Sequence, residues 1–173
     1  MARIRLWAVL GEASVGKSTT VGHLGGEFGK GENGLRRGRG GGVKEIPLRS
    51  DGYLQILSRR QSLQEAGKTP EQVAKEIENA SARLNQQNPT IESAFFNVLL
   101  AIRTDSPRKM KKGEDYLSYF VKRGWLIESL AILSPKSRDE HIYRRFGAPT
   151  CYIEYSSGLD IIQMVGQVRN HFG

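Results

Sequence analysis

Eight consecutive residues, Gly11-Glu12-Ala13-Ser14-Val15-Gly16-Lys17-Ser18, carry the types and spacing of a backbone cradle for phosphate. Glycines in such a stretch let the chain curl so that successive N–H groups turn inward on an anion. The lysine can then reach the β- and γ-phosphates of a nucleotide, and the serine hydroxyl after it can ligate Mg²⁺. The binding set read from the pattern is Gly11, Ser14, Val15, Gly16, Lys17, Ser18 and Thr19, with Lys17 also the first catalytic candidate. The flanks suit this chemistry. Ile4 to Leu10 is an apolar run fit for a buried parallel strand, and Ser18 to Leu24 can open a helix. The N-terminus of that helix adds its dipole to the anion site.

The pattern G-x-x-x-x-G-K-[ST] is the Walker A motif, and on these residues the chain resembles the P-loop NTPase superfamily. The resemblance implies bound ATP or GTP with Mg²⁺, and a second metal handle at the end of a strand beside the loop. Asp105 is the best candidate for that handle, closing Leu99-Leu100-Ala101-Ile102-Arg103-Thr104-Asp105. It departs from the usual four apolar residues followed by Asp, because Arg103 and Thr104 intervene. It reads equally as a turn opener before Pro107. Asp51 is the rival. In small-molecule kinases of the superfamily an acidic residue after the second strand often orients an acceptor hydroxyl, whereas Asp51-Gly52 is also an ordinary turn.

Further along, Ser134-Pro135-Lys136-Ser137-Arg138-Asp139 stands where GTPases carry [NT]-K-x-D, with the Asp one place late. No D-x-x-G follows a strand to sense a γ-phosphate, so a regulatory GTPase is disfavoured. Arg138, Arg144 and Arg145 occupy the interval in which kinases of the adenylate-kinase type carry lid arginines, and they read equally well as solvated surface residues. His23, His141 and His171 show no metal-ligand spacing.

The elements that must position these groups alternate between apolar strand-like runs and helical periodicity, the pattern of an α/β fold. Strands are expected at about 3–10, 43–49, 94–102, 126–133 and 151–155. Pro47 sends the second to an edge, and the long apolar third is central. Helices are expected at 17–29, from Thr69-Pro70-Glu71-Gln72 onward, at 115–123 with Gly124 as the stop, and at 159–172. The second helix should bury Val73, Ile77, Ala80 and Leu84, and the last Ile161, Val165, Val168 and Phe172. The predicted fold is a single domain over 1–173, a three-layer α/β sandwich with a mostly parallel five-stranded sheet of P-loop NTPase type. The Gly- and Arg-rich stretch at about 25–42 is expected to be a mobile loop beside the nucleotide.

Composition narrows the partners. The chain has 173 residues, 38% hydrophobic and 25% charged, with no apolar run near the roughly 20 residues that span a bilayer. Leu6 to Leu10 is too short for a signal-peptide core. Cys151 is the one cysteine, so no internal disulfide can form. A cytoplasmic protein without membrane contact is expected. The formal net charge of +8 favours nucleotide phosphates, an acidic partner or, more weakly, nucleic acid. The function expected from the whole reading is Mg-dependent nucleoside triphosphate binding, ATP ahead of GTP, with slow hydrolysis coupled to a loop change. A small-molecule or nucleoside kinase, and a nucleotide-responsive binding module without significant turnover, are the alternatives.

Overall fold

The computed structural model describes residues 3–24, 41–47, 53–59, 61–87, 95–154 and 161–173. Among these residues six strands form one sheet: β1 (Arg3–Gly11), β2 (Gly41–Pro47), β3 (Tyr53–Arg59), β4 (Phe95–Arg103), β5 (Leu126–Leu133) and β6 (Thr150–Ile153), in the order β2-β3-β4-β1-β5-β6. The block β4-β1-β5-β6 is all parallel, β3 joins β4 in parallel, and β2 runs antiparallel to β3 at the edge. The expected five strands are therefore corrected. The extra one is β3, from Tyr53-Leu54-Gln55-Ile56-Leu57-Ser58-Arg59. Its polar interruptions hide it from a reading that looks for apolar runs. Pro47 does lie on the edge strand, paired with Tyr53.

Among the described residues five α-helices accompany the sheet: α1 (Lys17–Leu24), α2 (Pro70–Gln87), α3 (Gly113–Lys122), α4 (Asp139–Arg144) and α5 (Ile161–Phe172). They divide between the two faces of the sheet, as a three-layer sandwich requires. On one face Leu6, Ala8, Leu10, Val98, Leu100 and Ile102 meet Val73 and Ile77 of α2, Leu117 and Phe120 of α3, and Tyr143 of α4. On the other, Val9, Leu99, Ala101, Ala131 and Leu133 meet Val21 and Leu24 of α1 and Met164 and Val168 of α5. Both faces of β1, β4 and β5 are thus covered, which is why these strands read as nearly unbroken apolar runs.

Local signals set the helix ends. Thr69 Oγ1 accepts from the Gln72 N–H at 3.3 Å and Gln72 Oε1 accepts from the Thr69 N–H at 2.9 Å, a reciprocal capping box at the start of α2. Gly124, at φ +84°, ends α3 and turns the chain so that Trp125 stacks on Phe120 at 4.4 Å between ring centroids. Such a stack contributes about 0.5–1.5 kcal/mol beyond the area it buries. Of the expected stripe on α2, Val73 and Ile77 are buried and Ala80 is packed against the core, while the side chain of Leu84 is outside the described set. On α5, Val168 is buried with Met164, and Ile161, Val165 and Phe172 pack at the margin of the same cluster. The stretch expected as a mobile loop lies outside the described residues over 25–40, and Gly41 and Gly42 belong instead to β2.

Candidate functional site

β1 is the central strand of the parallel block, and the chain leaves its carboxyl end at Gly11. From there it travels to the β2-β3 edge, whereas from β5 it moves the opposite way to β6. Loops that diverge from neighbouring parallel strands open a crevice between them, the usual ligand position in open α/β sheets. The turn Gly11–Gly16 follows β1 at this end of the sheet and Ser134–Asp139 follows β5, and these are the two loops between which such a crevice would lie.

Close packing demands glycine at position 11, and the backbone conformation demands it at 16. A Cβ on Gly11 would stand 2.5 Å from Val15 Cγ2 and 2.8 Å from the Leu133 carbonyl oxygen. A Cβ on Gly16 would stand 2.8 Å from Met164 Cε and 3.2 Å from Ile161 Cδ1, and Gly16 has φ +88°. The turn is thus seated on β5 and α5. Ser14 sits at its exposed tip in a left-handed conformation, φ +62°, and Val15 packs at the margin of the core beside Met164. Thr20 closes the first turn of α1, its N–H and Oγ1 both donating to the Gly16 carbonyl at 2.8 and 2.9 Å. Ser18 and Thr19 are half-buried in the same turn.

Lys17 is the first residue of α1 and only 4% exposed. Its ammonium folds back over the turn and donates to the Glu12 carbonyl. Burial brings its pKa down to about 8, opposed by the negative charges of Glu65, Asp105 and Glu12 and reinforced by the positive charge of Arg103. A cation so placed is held at a cost that an incoming anion would relieve.

Arg103 ends β4 directly beside Gly11 in the β1–β4 register, and the Thr104 N–H donates to the Gly11 carbonyl at 3.1 Å. Asp105 follows, its carboxylate gripped by the Arg103 guanidinium through two bonds of 2.9 and 2.6 Å. That fork holds the Asp105 carboxyl below its ordinary range and raises Arg103. Glu65 lies 3.9 Å from Arg103 on another side. The Gln64 amide pins the Arg103 backbone, accepting from its N–H at 3.0 Å and donating to its carbonyl at 2.9 Å. Across the crevice, Lys136 forms an ion pair with Glu12, while the Lys136 N–H donates to the buried Asp139 carboxylate at 2.7 Å.

The structure therefore brings Gly11, Gly16, Lys17, Ser18 and Asp105 to one end of the sheet. Asp51 lies outside the described residues. The residues that the motif reading missed are Glu65, Gln64 and Arg103. Glu65 and Gln64 belong to the turns between β3 and α2, where no spacing advertises chemistry, and Arg103 registers in the sequence only as an interruption before Asp105. Among the described residues no group of three or more His, Cys, Asp or Glu is gathered as a metal site, and no helix is long and apolar enough to cross a membrane. Comparison with family models, curated proteins and solved structures finds no match to this chain.

Proposed function

We propose that the chain is a P-loop NTPase-type domain that binds a nucleoside triphosphate with Mg²⁺ and hydrolyses it slowly. The observation that carries the reading is Lys17: a buried ammonium folded onto a close-packed Gly11–Gly16 turn, at the carboxyl end of the central parallel strand. Phosphate would displace the Glu12 carbonyl from that ammonium and offset the penalty that burial places on its charge. A Mg²⁺ ion bound with nucleotide keeps several waters and asks the protein for only one or two hard oxygen ligands, so a cage of three carboxylates is not required. Ser18 and Asp105 would supply such oxygens, and the ion they would hold offsets charge on the β- and γ-phosphates when bound.

Slow turnover follows from the clasp on Asp105. Its carboxylate is committed to Arg103 before any ligand arrives, so recruiting it for the metal means separating an ion pair. The kinase alternative gains less from the geometry, because Arg144 pairs with Glu140 on α4 and Arg145 rests on Phe146 and Ser118. ATP ahead of GTP fits the displaced Asp139, which is buried and spent on the Lys136 N–H. A cytoplasmic location belongs to this reading.

The test is phosphate release from Mg-ATP and Mg-GTP without an acceptor, in the parent and in Asp105→Asn. Slow release by the parent, reduced about 10-fold or more in the variant, is expected. Binding without release would move the reading to the nucleotide-responsive module, and release only with an added acceptor would move it to the kinase.

A further inference from the structure

Arg103 is the residue that breaks the expected pattern of the β4 strand end, and the fold places it at the loop all the same. It is opposite Gly11 in the register, and its backbone is fixed on both edges by Gln64. Its side chain is 15% exposed, Asp105 is 32% and Glu65 is 39%. The guanidinium thus sits deeper than both of its carboxylate partners, while the Asp105 carboxylate reaches solvent.

We propose that Arg103 is a second phosphate-directed cation of this site, tethered by Asp105 when the site is empty and delivered to the terminal phosphate of a nucleoside triphosphate. The proposal rests on the nucleotide reading above and deepens it. Among the described residues, Lys17, Arg103 and Lys136 lie around the turn together with Glu12, Glu65, Asp105 and the buried Asp139. Carboxylates among these cations oppose an incoming polyphosphate until one of them turns away. Asp105 is the member whose departure frees the guanidinium, because it alone of the two carboxylates holds Arg103 through a two-bond fork, at a position still open to solvent, whereas the Arg103 backbone is clamped. Once released, the planar fork of Arg103 can grip two phosphate oxygens as it gripped two carboxylate oxygens. It acts at the γ end, because Arg103 stands opposite Gly11, one residue before the Glu12 carbonyl on which the lysine head rests, and that head is the group that meets the β- and γ-phosphates.

The experiment is calorimetric titration of Mg-ATP and Mg-ADP into the parent, Arg103→Ala, Arg103→Lys and Asp105→Asn, with tripolyphosphate in EDTA as a metal-free probe. Arg103→Ala should weaken Mg-ATP at least 10-fold more than Mg-ADP. Arg103→Lys keeps the charge without the fork and should show the same preference with a smaller loss, so it reports even where the alanine variant does not fold. Asp105→Asn loosens the tether and should bind metal-free tripolyphosphate more tightly than the parent. Equal losses for ATP and ADP, or none, would overturn the role of Arg103. Unchanged or weaker tripolyphosphate binding by Asp105→Asn would overturn the tether. A parent that binds no nucleotide would overturn the nucleotide reading and this proposal together, an outcome distinct from nucleotide binding that is indifferent to Arg103.

Discussion

Lys17 makes a prediction whose sign runs against the usual cost of removing a buried side chain. Its folded pKa of about 8 lies below the ordinary 10.5, so the fold disfavours the charged form. Below pH 8 the ammonium is charged in both folded and unfolded states, and the folded state carries the full penalty. Between 8 and 10.5 the unfolded chain holds the proton more firmly, and stability contributed by this group rises with pH. Lys17→Met should therefore stabilise the empty protein by up to about 3 kcal/mol at pH 7. The difference from the parent should shrink as pH rises through that window, as urea unfolding at a series of pH values will show. A variant less stable than the parent at pH 7 would mean that the surrounding carboxylates need the ammonium more than burial penalises it. Gly16 predicts in the ordinary direction. Its φ is +88°, and an added Cβ would stand only 2.8 Å from Met164 Cε. Gly16→Ala should therefore cost about 1–3 kcal/mol of stability. Adding Met164→Ala should return part of that loss, so the double variant will fall short of the sum of the single ones.

Among the helices and strands, the features written locally in the sequence emerge as read. The capping box at Thr69 and Gln72, the stop at Gly124 and the apolar runs of β1, β4 and β5 depend on neighbours within a few residues, and each is where its local chemistry puts it. Thr69→Ala should accordingly cost about 1 kcal/mol of stability by denaturant unfolding, with serine restoring most of it. What was illegible depends on partners far away in the chain. β3 is defined by its pairing with β2 and β4, and its own alternation carries Gln55 and Ser58. The site behaves the same way: Gly11–Ser18 can be read as eight letters, whereas Glu65, Gln64 and Arg103 become neighbours only through the β4 register and the turns before α2. Asp105 shows the limit most clearly, since no spacing reveals that the residue two places earlier holds its carboxylate.

Across the full width of the sheet, the crevice between the β1 and β5 loops is bridged by the ion pair of Glu12 with Lys136. Both partners are substantially exposed, so Lys136→Ala should change stability by less than about 1 kcal/mol, with the small effect fading at high salt. The two walls are instead held by their strands, and by Gly16 seated on α5. Whether this crevice takes a nucleoside triphosphate is decided by titrating Mg-ATP into the parent and into Lys17→Met by calorimetry. Calorimetry is preferred to thermal unfolding because the variant itself is expected to shift the midpoint. Saturable heat in the parent, lost in a variant that remains folded and at least as stable, is the expected result. Equal binding by both proteins, or binding by neither, would contradict it.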